Sequence, residues 1–216
     1  NTGYLNEIDI PKDFEIKWMF KNEDGRDFVV ISPIVVNGVI YLGVTKLYAI
    51  DAKSGKLLWE KKINISNTPT VMENVIYVGG LEAFRAVDIK TKRVKWAFRT
   101  GHEIRSSAII DNNMIYFGCT YGYFYALNRH TGKVIWKFLT KDGIYSSPAI
   151  YENTIYFGSD DNHLYALNKI TGKKIWKVKF EGDLSNSVSL DNKNIYFGDN
   201  EGNFYSVNRK TGKFIW

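Results

Sequence analysis

One twelve-residue pattern occurs five times in this chain at a nearly constant interval, and nothing else in the sequence constrains the fold as tightly. Its first copy reads Tyr48-Ala-Ile-Asp-Ala-Lys-Ser-Gly-Lys-Leu-Leu-Trp59 and its fourth reads Tyr165-Ala-Leu-Asn-Lys-Ile-Thr-Gly-Lys-Lys-Ile-Trp176. The closing tryptophans are Trp59, Trp96, Trp136, Trp176 and Trp216, at spacings of 37, 40, 40 and 40 residues. An Ile-Tyr-x-Gly motif recurs in step and places Tyr41, Tyr77, Tyr116, Tyr156 and Tyr196. Nine residues before each of these tyrosines stands a hydroxyl residue: Ser32, Thr68, Ser107, Ser147 and Ser187. Self-similarity at a fixed period of this size is the mark of a repeat architecture.

The fourth copy shows what one unit builds. Ser147 to Tyr151 is short and apolar and ends at the turn pair Glu152-Asn153. Ile155 to Phe157 is β-branched and aromatic, Ser159 to Asn162 is a turn cluster, and Leu164 to Asn168 is apolar again. After the turn at Thr171-Gly172, the stretch from Lys174 to Phe180 alternates polar and apolar residues. This predicts four short strands joined by tight turns, with no stretch of 3.6-residue period. The glycine of Thr-Gly-Lys suits a backbone position of positive φ, where a Cβ clashes. In the second copy Lys92 stands there, so that turn is either strained by roughly 1 kcal/mol or built differently. Four antiparallel strands per ~40 residues is the arithmetic of a β-propeller blade. A propeller blade packs on both faces, and the unbroken apolar character of Ile-Tyr-Phe and Tyr-Ala-Leu meets that demand.

At these residues the chain resembles the tryptophan-docking motif of pyrroloquinoline quinone (PQQ) repeat propellers. That superfamily contains quinoprotein alcohol dehydrogenases and also non-catalytic propellers such as the lipoprotein of the bacterial outer-membrane assembly machinery. The resemblance implies that each motif tryptophan packs against a neighbouring blade, with a structural role for Trp59, Trp96, Trp136, Trp176 and Trp216. If so, the Trp176 indole is largely buried and its Nε1–H meets an acceptor. Family members commonly have seven or eight blades and are frequently exported, which implies a periplasmic or extracellular location.

The sixth tryptophan, Trp18, lies in an alternating segment, 14–20, like an outer strand but with no inner strands before it. Propellers commonly close by letting an N-terminal strand complete the last blade, so Trp18 is assigned the same structural role. The expected organisation is an N-terminal extension, 1–13, and a propeller over 14–216. Its outer strand is 14–20 and its repeats run over about 30–62, 66–99, 105–140, 145–180 and 185–216. The fifth copy carries its own outer strand, so further units are expected after residue 216, roughly 80–120 residues at ~40 per blade. The rival is a native five-bladed ring with Trp18 on a spare strand.

Composition removes several classes of function. With 44% hydrophobic and 15% aromatic residues in 216, the bulk of the chain is not disordered. No apolar run approaches the roughly 20 residues of a membrane helix. The single cysteine, Cys119, excludes an intramolecular disulfide and a thiolate metal cluster and reads as a small half-buried side chain. His102, His130 and His163 fall in different repeats without metal-ligand spacing and read as solvated. Ser159 to His163 and Asp199 to Asn203 are oxygen-rich, but Asp, Asn and Gly are ordinary turn formers and the twelve-residue calcium loop is missing. By the family resemblance, a quinoprotein dehydrogenase holds PQQ between a tryptophan and vicinal cysteines, with calcium and a catalytic aspartate. One cysteine cannot form that pair, and all six tryptophans are already used by the outer-strand pattern. No catalytic residue, cofactor or metal is therefore assigned; PQQ with calcium, in a dehydrogenase or a quinone-binding sensor, is the alternative.

The net charge is +6. Many of the lysines fall in the Thr-Gly-Lys turns and outer strands, where lysine protects an exposed edge from pairing. Charge spread around a rim is a poor nucleic-acid stripe. What remains is a binding module for a protein or peptide, including a peripheral membrane complex. Variable residues on a rigid frame are the candidates. Two positions before the hydroxyl residue the copies read Val30, Ser66, Arg105, Tyr145 and Ser185. One position before it they read Ile31, Asn67, Ser106, Ser146 and Asn186. Asn67, Arg105, Ser106, Tyr145, Ser146 and Asn186 are thus expected to line the channel or its mouth. The loop after Ile-Tyr-x-Gly also varies and is shorter in the first two copies, from Val44 to Lys46 in the first, which makes that rim uneven.

Overall fold

A computed structural model describes residues 15–21, 31–43 and 46–216. The 1–13 extension, Phe14, Val30, and Val44 and Thr45 of the first variable loop lie outside the described residues. Among the described residues all regular structure is β, in five antiparallel sheets whose strands follow one another in chain order. The first blade is β1 (Ile34–Val36), β2 (Val39–Gly43), β3 (Leu47–Asp51) and β4 (Leu57–Lys61). The second is β5 (Thr70–Met72), β6 (Val75–Gly79), β7 (Ala83–Asp88) and β8 (Val94–Arg99). The third is β9 (Ile109–Asp111), β10 (Met114–Gly118), β11 (Tyr123–Asn128) and β12 (Val134–Leu139). The fourth is β13 (Ala149–Tyr151), β14 (Thr154–Ser159), β15 (His163–Asn168) and β16 (Lys174–Lys179). The fifth has three strands, β17 (Ser189–Leu190), β18 (Asn194–Gly198) and β19 (Phe204–Asn208). The expected fourth strand of this blade is present only as a bridge, Val207 to Phe214, and bonds from Ile215 N to Ser206 O and from Ser206 N to Trp216 O.

The core lies between blades. Four apolar clusters fill the four spaces between consecutive sheets. Phe84 of β7 stacks on Phe117 of β10 at 4.1 Å, and Phe124 of β11 stacks on Phe157 of β14 at 4.0 Å. These rings are fully buried because both faces of the middle strands are covered, as the unbroken apolar runs require. Cys119 is buried in the same core, and burial pushes its thiol pKa up. It is fully, not half, buried, because the next blade's connection closes over it.

The two main motifs converge on one carbonyl. Trp96 Nε1 donates to Arg129 O at 2.9 Å, and Tyr77 Oη donates to the same oxygen at 3.3 Å. One blade on, Trp136 Nε1 and Tyr116 Oη both donate to Lys169 O, at 2.9 and 3.1 Å. Each indole lies over the turn glycine of the following blade. A Cβ on Gly132 would stand 2.6 Å from Trp96, and one on Gly172 would stand 2.6 Å from Trp136. Those glycines have φ of +70°, so only glycine meets both demands without strain. Trp176 covers Gly212 in the same manner, yet it is only partly buried and its Nε1 has no hydrogen bond among the described residues. The expectation for Trp176 is met in its packing over Gly212 and not in its bond.

Trp18 repeats the docking. Its Nε1 donates to Ala52 O at 3.2 Å, and its ring lies over Gly55. Phe20, two residues on, meets Tyr48 edge-on at 5.4 Å, as Phe98 meets Tyr125 and Phe138 meets Tyr165. Residues 15–21 carry no ladder pairing, because no inner strands of their blade are among the described residues. They sit on the first blade as the outer strand of a preceding blade does. Trp59 lies 6.1 Å from Tyr41, and Trp216, which is 53% exposed, lies tilted against Phe204 at 6.0 Å.

The second copy resolves in favour of strain. Lys92 adopts φ of +59°, and its N–H donates to Asp88 O as Gly132 N donates to Asn128 O. The turn is the same, with a Cβ where its counterparts have none. Replacing Lys92 by glycine is expected to raise stability by about 1 kcal/mol, less the entropy glycine adds to the unfolded chain. A urea midpoint at or below that of the parent would contradict it.

Candidate functional site

Because each blade is a meander, the connections between blades and the turns between second and third strands gather at one end. Backbone bonds lace this end together. Ile104 N donates to Gly80 O, Ile144 N to Cys119 O, and Asp160 N to Gly143 O. The loops are therefore a frame rather than free segments.

The six candidate positions separate into two kinds. Asn67 is buried, with Gly79 N donating to its Oδ1 at 2.8 Å and its Nδ2 donating to Ser106 O of the next blade at 2.9 Å. Ser146 is buried, with Gly158 N donating to its Oγ and its Oγ donating to Gly158 O. Ser106 is also fully buried. These three brace the approach to the first strand rather than line an open mouth. Glycine lets the backbone come this close: a Cβ on Gly79 would stand 2.8 Å from Asn67 Nδ2. Asn186 is exposed and bonds Gly198 O weakly, at 3.4 Å. The hydroxyl series has a similar purpose: Ser107 N donates to Ser147 Oγ, and Ser147 N donates to Ser187 Oγ, tying consecutive blades near the axis.

Arg105 and Tyr145 come together at the mouth. The guanidinium lies 5.9 Å from the ring centroid, and its Nε donates to Glu103 Oε2 at 3.0 Å. The Arg105 side chain remains 57% exposed, so the pair presents charge and an aromatic edge to solvent. At the corresponding place in the fifth blade, Ser185 Oγ donates to Asp160 Oδ1 at 2.6 Å. Burial pushes the Asp160 carboxyl pKa up; the Ser185 bond opposes this, and Asp183, Asp142 and Asp161 add to it by repulsion. The neighbouring Asp161 accepts from Lys141 N and from Tyr165 Oη through Oδ2, while its buried Oδ1 has no hydrogen-bond partner. His163 Nδ1 stands 3.4 Å from that Oδ1 and 2.7 Å from Asp161 O, so this histidine is held rather than solvated. Asp199 closes its own turn: burial works against its charge, but bonds from Asn203, Tyr205 and the Glu201 N–H outweigh it and hold the pKa at about 2.

Sequence reasoning missed this acidic group, although Ser159 to His163 and Asp199 to Asn203 had signalled oxygen-rich loops. Their grouping depends on which loops the blades bring side by side. No three His, Cys, Asp or Glu residues among the described residues converge as a metal ion requires. A raised Asp160 pKa disfavours folding at neutral pH and not below the ordinary carboxylate range. Asp160→Asn is therefore expected to raise the urea midpoint at pH 7 and to leave it unchanged at pH 3. A drop at pH 7 would show that the charge is needed for the loop.

An open groove of ≈ 830 Å³ runs along the side between the fourth and fifth blades, lined by Val178, Phe180, Tyr205 and Phe214 among others. It exists where Val178 stands at the register held by Phe98 and Phe138 in the two preceding blades.

The family model described as outer membrane protein assembly factor BamB matches residues 18–216. No curated protein matches the chain in sequence. Among solved structures, it is similar to BamB from Moraxella catarrhalis, with a TM-score of 0.76 at 19% identity over 88% of this chain and 61% of that one. It is also similar to the quinohemoprotein alcohol dehydrogenase of Comamonas testosteroni, with a TM-score of 0.74 at 18% identity over 87% and 42%. The quinohemoprotein alcohol dehydrogenase ADHIIG from Pseudomonas putida HK5 gives 0.69 at 20% identity over 86% and 41%. The chain thus spans about three fifths of the first structure and two fifths of the other two. These likenesses establish the β-propeller fold.

Proposed function

Because the chain belongs to the family described as outer membrane protein assembly factor BamB, a family of PQQ-like repeat propellers, we propose that it is a non-catalytic scaffold. In this reading the loop end of the propeller holds a protein or peptide segment. The observation that carries it is the contrast within the loop end. Asn67, Ser106 and Ser146 are spent on the frame, while Arg105 and Tyr145 are offered outward on it, with the exposed Asp142 and the half-buried Asp160 in the neighbouring loops. A guanidinium over a ring beside a set of carboxylates suits a polar segment with aromatic and cationic side chains. The family description, outer membrane protein assembly factor, supports an exported, envelope-associated setting for the scaffold. No helix among the described residues is long and apolar enough to cross a membrane.

In this reading PQQ is the less favoured ligand. Trp18, Trp96, Trp136 and Trp176 each lie over a turn glycine of the following blade, which supports a packing role for these rings. Cys119 is single and buried. Titration with PQQ and Ca²⁺, followed by tryptophan fluorescence, is expected to show no saturable change; tight binding would reverse the order of the two readings. The scaffold reading is tested by placing a photo-crosslinking residue at Tyr145 in the full-length protein in its source cells. A discrete adduct that disappears on Arg105→Glu, with the urea midpoint unchanged, is expected. Adducts indifferent to Arg105 would count against the mouth as the binding place.

A further inference from the structure

The charge of this protein is divided between the two ends of the propeller. Among the described residues, the turns joining first to second and third to fourth strands hold thirteen Lys and Arg against three Asp and Glu, with Asp51, Asp88 and Asp111 on the strand ends that flank them. The loops at the opposite end hold four against nine. The sequence alone reads the turn lysines as edge protection, but the meander puts all five turns of each kind at one end.

Ten of the thirteen cations there are exposed, whereas Arg129, Lys169 and Arg209 are buried or paired. The turn lysines Lys56, Lys133, Lys173 and Lys213 are exposed, as is Arg93 in the second blade. Lys53, Lys90 and Lys210 add exposed charge in three of the same turns. Against them, Asp51 accepts from Ser54 N and Oγ, Asp88 from Thr91 N and Oγ1, and Asp191 from Lys193 N and Asn194 N. Glu73 and Asp111 pair with Arg129 and Lys169.

Apolar side chains are interleaved with this charge for a backbone reason. In each four-stranded blade the outer strand carries a bulge: Ala126 pairs with Trp136 but Leu127 pairs with Val134, so Ile135 is left over. The same shift leaves Ile175 over in the fourth blade and Leu58 in the first. An extra residue turns out of the ladder. Leu58, Ile135 and Ile175, each two residues after its turn lysine, are 51%, 47% and 52% exposed. Ile170, in the turn itself, is 57% exposed.

We infer that the basic end is a docking face for an anionic phospholipid bilayer, which leaves the acidic loop end directed away from it. A soluble acidic partner would suit a groove or stripe, whereas this charge is spread over the turns of all five described blades. Lysine stems and half-exposed aliphatic residues at one level are what the boundary between headgroups and acyl chains accommodates. The opposite sign at the far end opposes the reverse orientation.

Flotation of the full chain with vesicles tests this face. Expected is partitioning onto phosphatidylglycerol-containing vesicles at low salt, none onto pure phosphatidylcholine, and release in about 0.5 M salt, where the Debye length falls to a few ångströms. Each lysine removed from the face should weaken partitioning about fivefold, and the triple variant Lys133→Gln, Lys173→Gln, Lys213→Gln roughly a hundredfold. Ile175→Ser should weaken it without changing the salt dependence. Asp142→Asn and Asp183→Asn, at the loop end, should not weaken it, and unchanged tryptophan fluorescence certifies the fold of each variant. Equal binding to zwitterionic vesicles, indifference to the lysine triple, or preferential capture by soluble polyglutamate over vesicles would overturn the assignment. None of these readouts depends on a ligand at the Arg105 mouth, so the two readings stand or fall separately.

Discussion

Trp136→Ala is expected to lower the stability of this protein by about 3–5 kcal/mol, the usual cost of truncating a large buried aromatic. The ring is 9% exposed and lies 6.0 Å from Phe124 and 5.9 Å from Tyr116 in the contact between the third and fourth blades. Its loss also leaves Lys169 O with Tyr116 Oη as its remaining side-chain donor. The measurement is a urea unfolding midpoint, with Lys174→Ala as the control. Lys174 is exposed on the neighbouring outer strand and should shift stability by no more than about 0.5 kcal/mol. An unchanged midpoint for Trp136→Ala would remove the structural assignment from the whole tryptophan series and return those rings to candidacy as a stacking surface.

Gly172→Ala carries the second large effect and probes the other partner in the same contact. The φ of +70° costs an alanine on the order of 1–2 kcal/mol. The new methyl would also stand 2.6 Å from the Trp136 ring, and displacing a packed aromatic costs about 1–3 kcal/mol more. The expected sum is about 3 kcal/mol. In the double variant with Trp136→Ala, the clash part vanishes and only the backbone part remains, so the two changes should be clearly non-additive. Additivity would mean that indole and glycine do not meet. Gly38→Ala supplies the reference, since it has φ of +75° and open space where its Cβ would go. It should cost the backbone part alone.

Blade structure was legible before any coordinates because it is local. Turn pairs, β-branched middle strands and the Thr-Gly-Lys signal all act within ten or so residues, and the constant interval multiplied that evidence five times. The strained Lys92 was legible for the same reason, since a single Cβ at one turn position is a local question. Trp18 could be recognised as belonging to the series, although the place it docks, at Gly55 and at Ala52, 34 residues away, lies in the first blade. The candidate site was legible only in part. Asn67, Ser146 and Tyr145 all look variable and polar in the repeat, and nothing in their own neighbourhoods separates a brace from a presented side chain.

What the sequence by itself determined, then, is the repeating unit: four strands, their turns, the apolar faces and the tryptophan that each unit sends to the next. What only the tertiary structure decided is which surfaces those units leave open. Asn67 is closed off because Gly79 and the next blade's Ser106 carbonyl come within 3 Å of it, while Arg105 is left in solvent beside Tyr145. The gathering of thirteen cations at one end follows from strand direction, which alternates along each meander and so sorts residues by turn rather than by position in the chain. Propensity and pattern act over one turn or one strand, whereas exposure and charge grouping are set by packing between blades some forty residues apart, and that packing exists only once the blades have met.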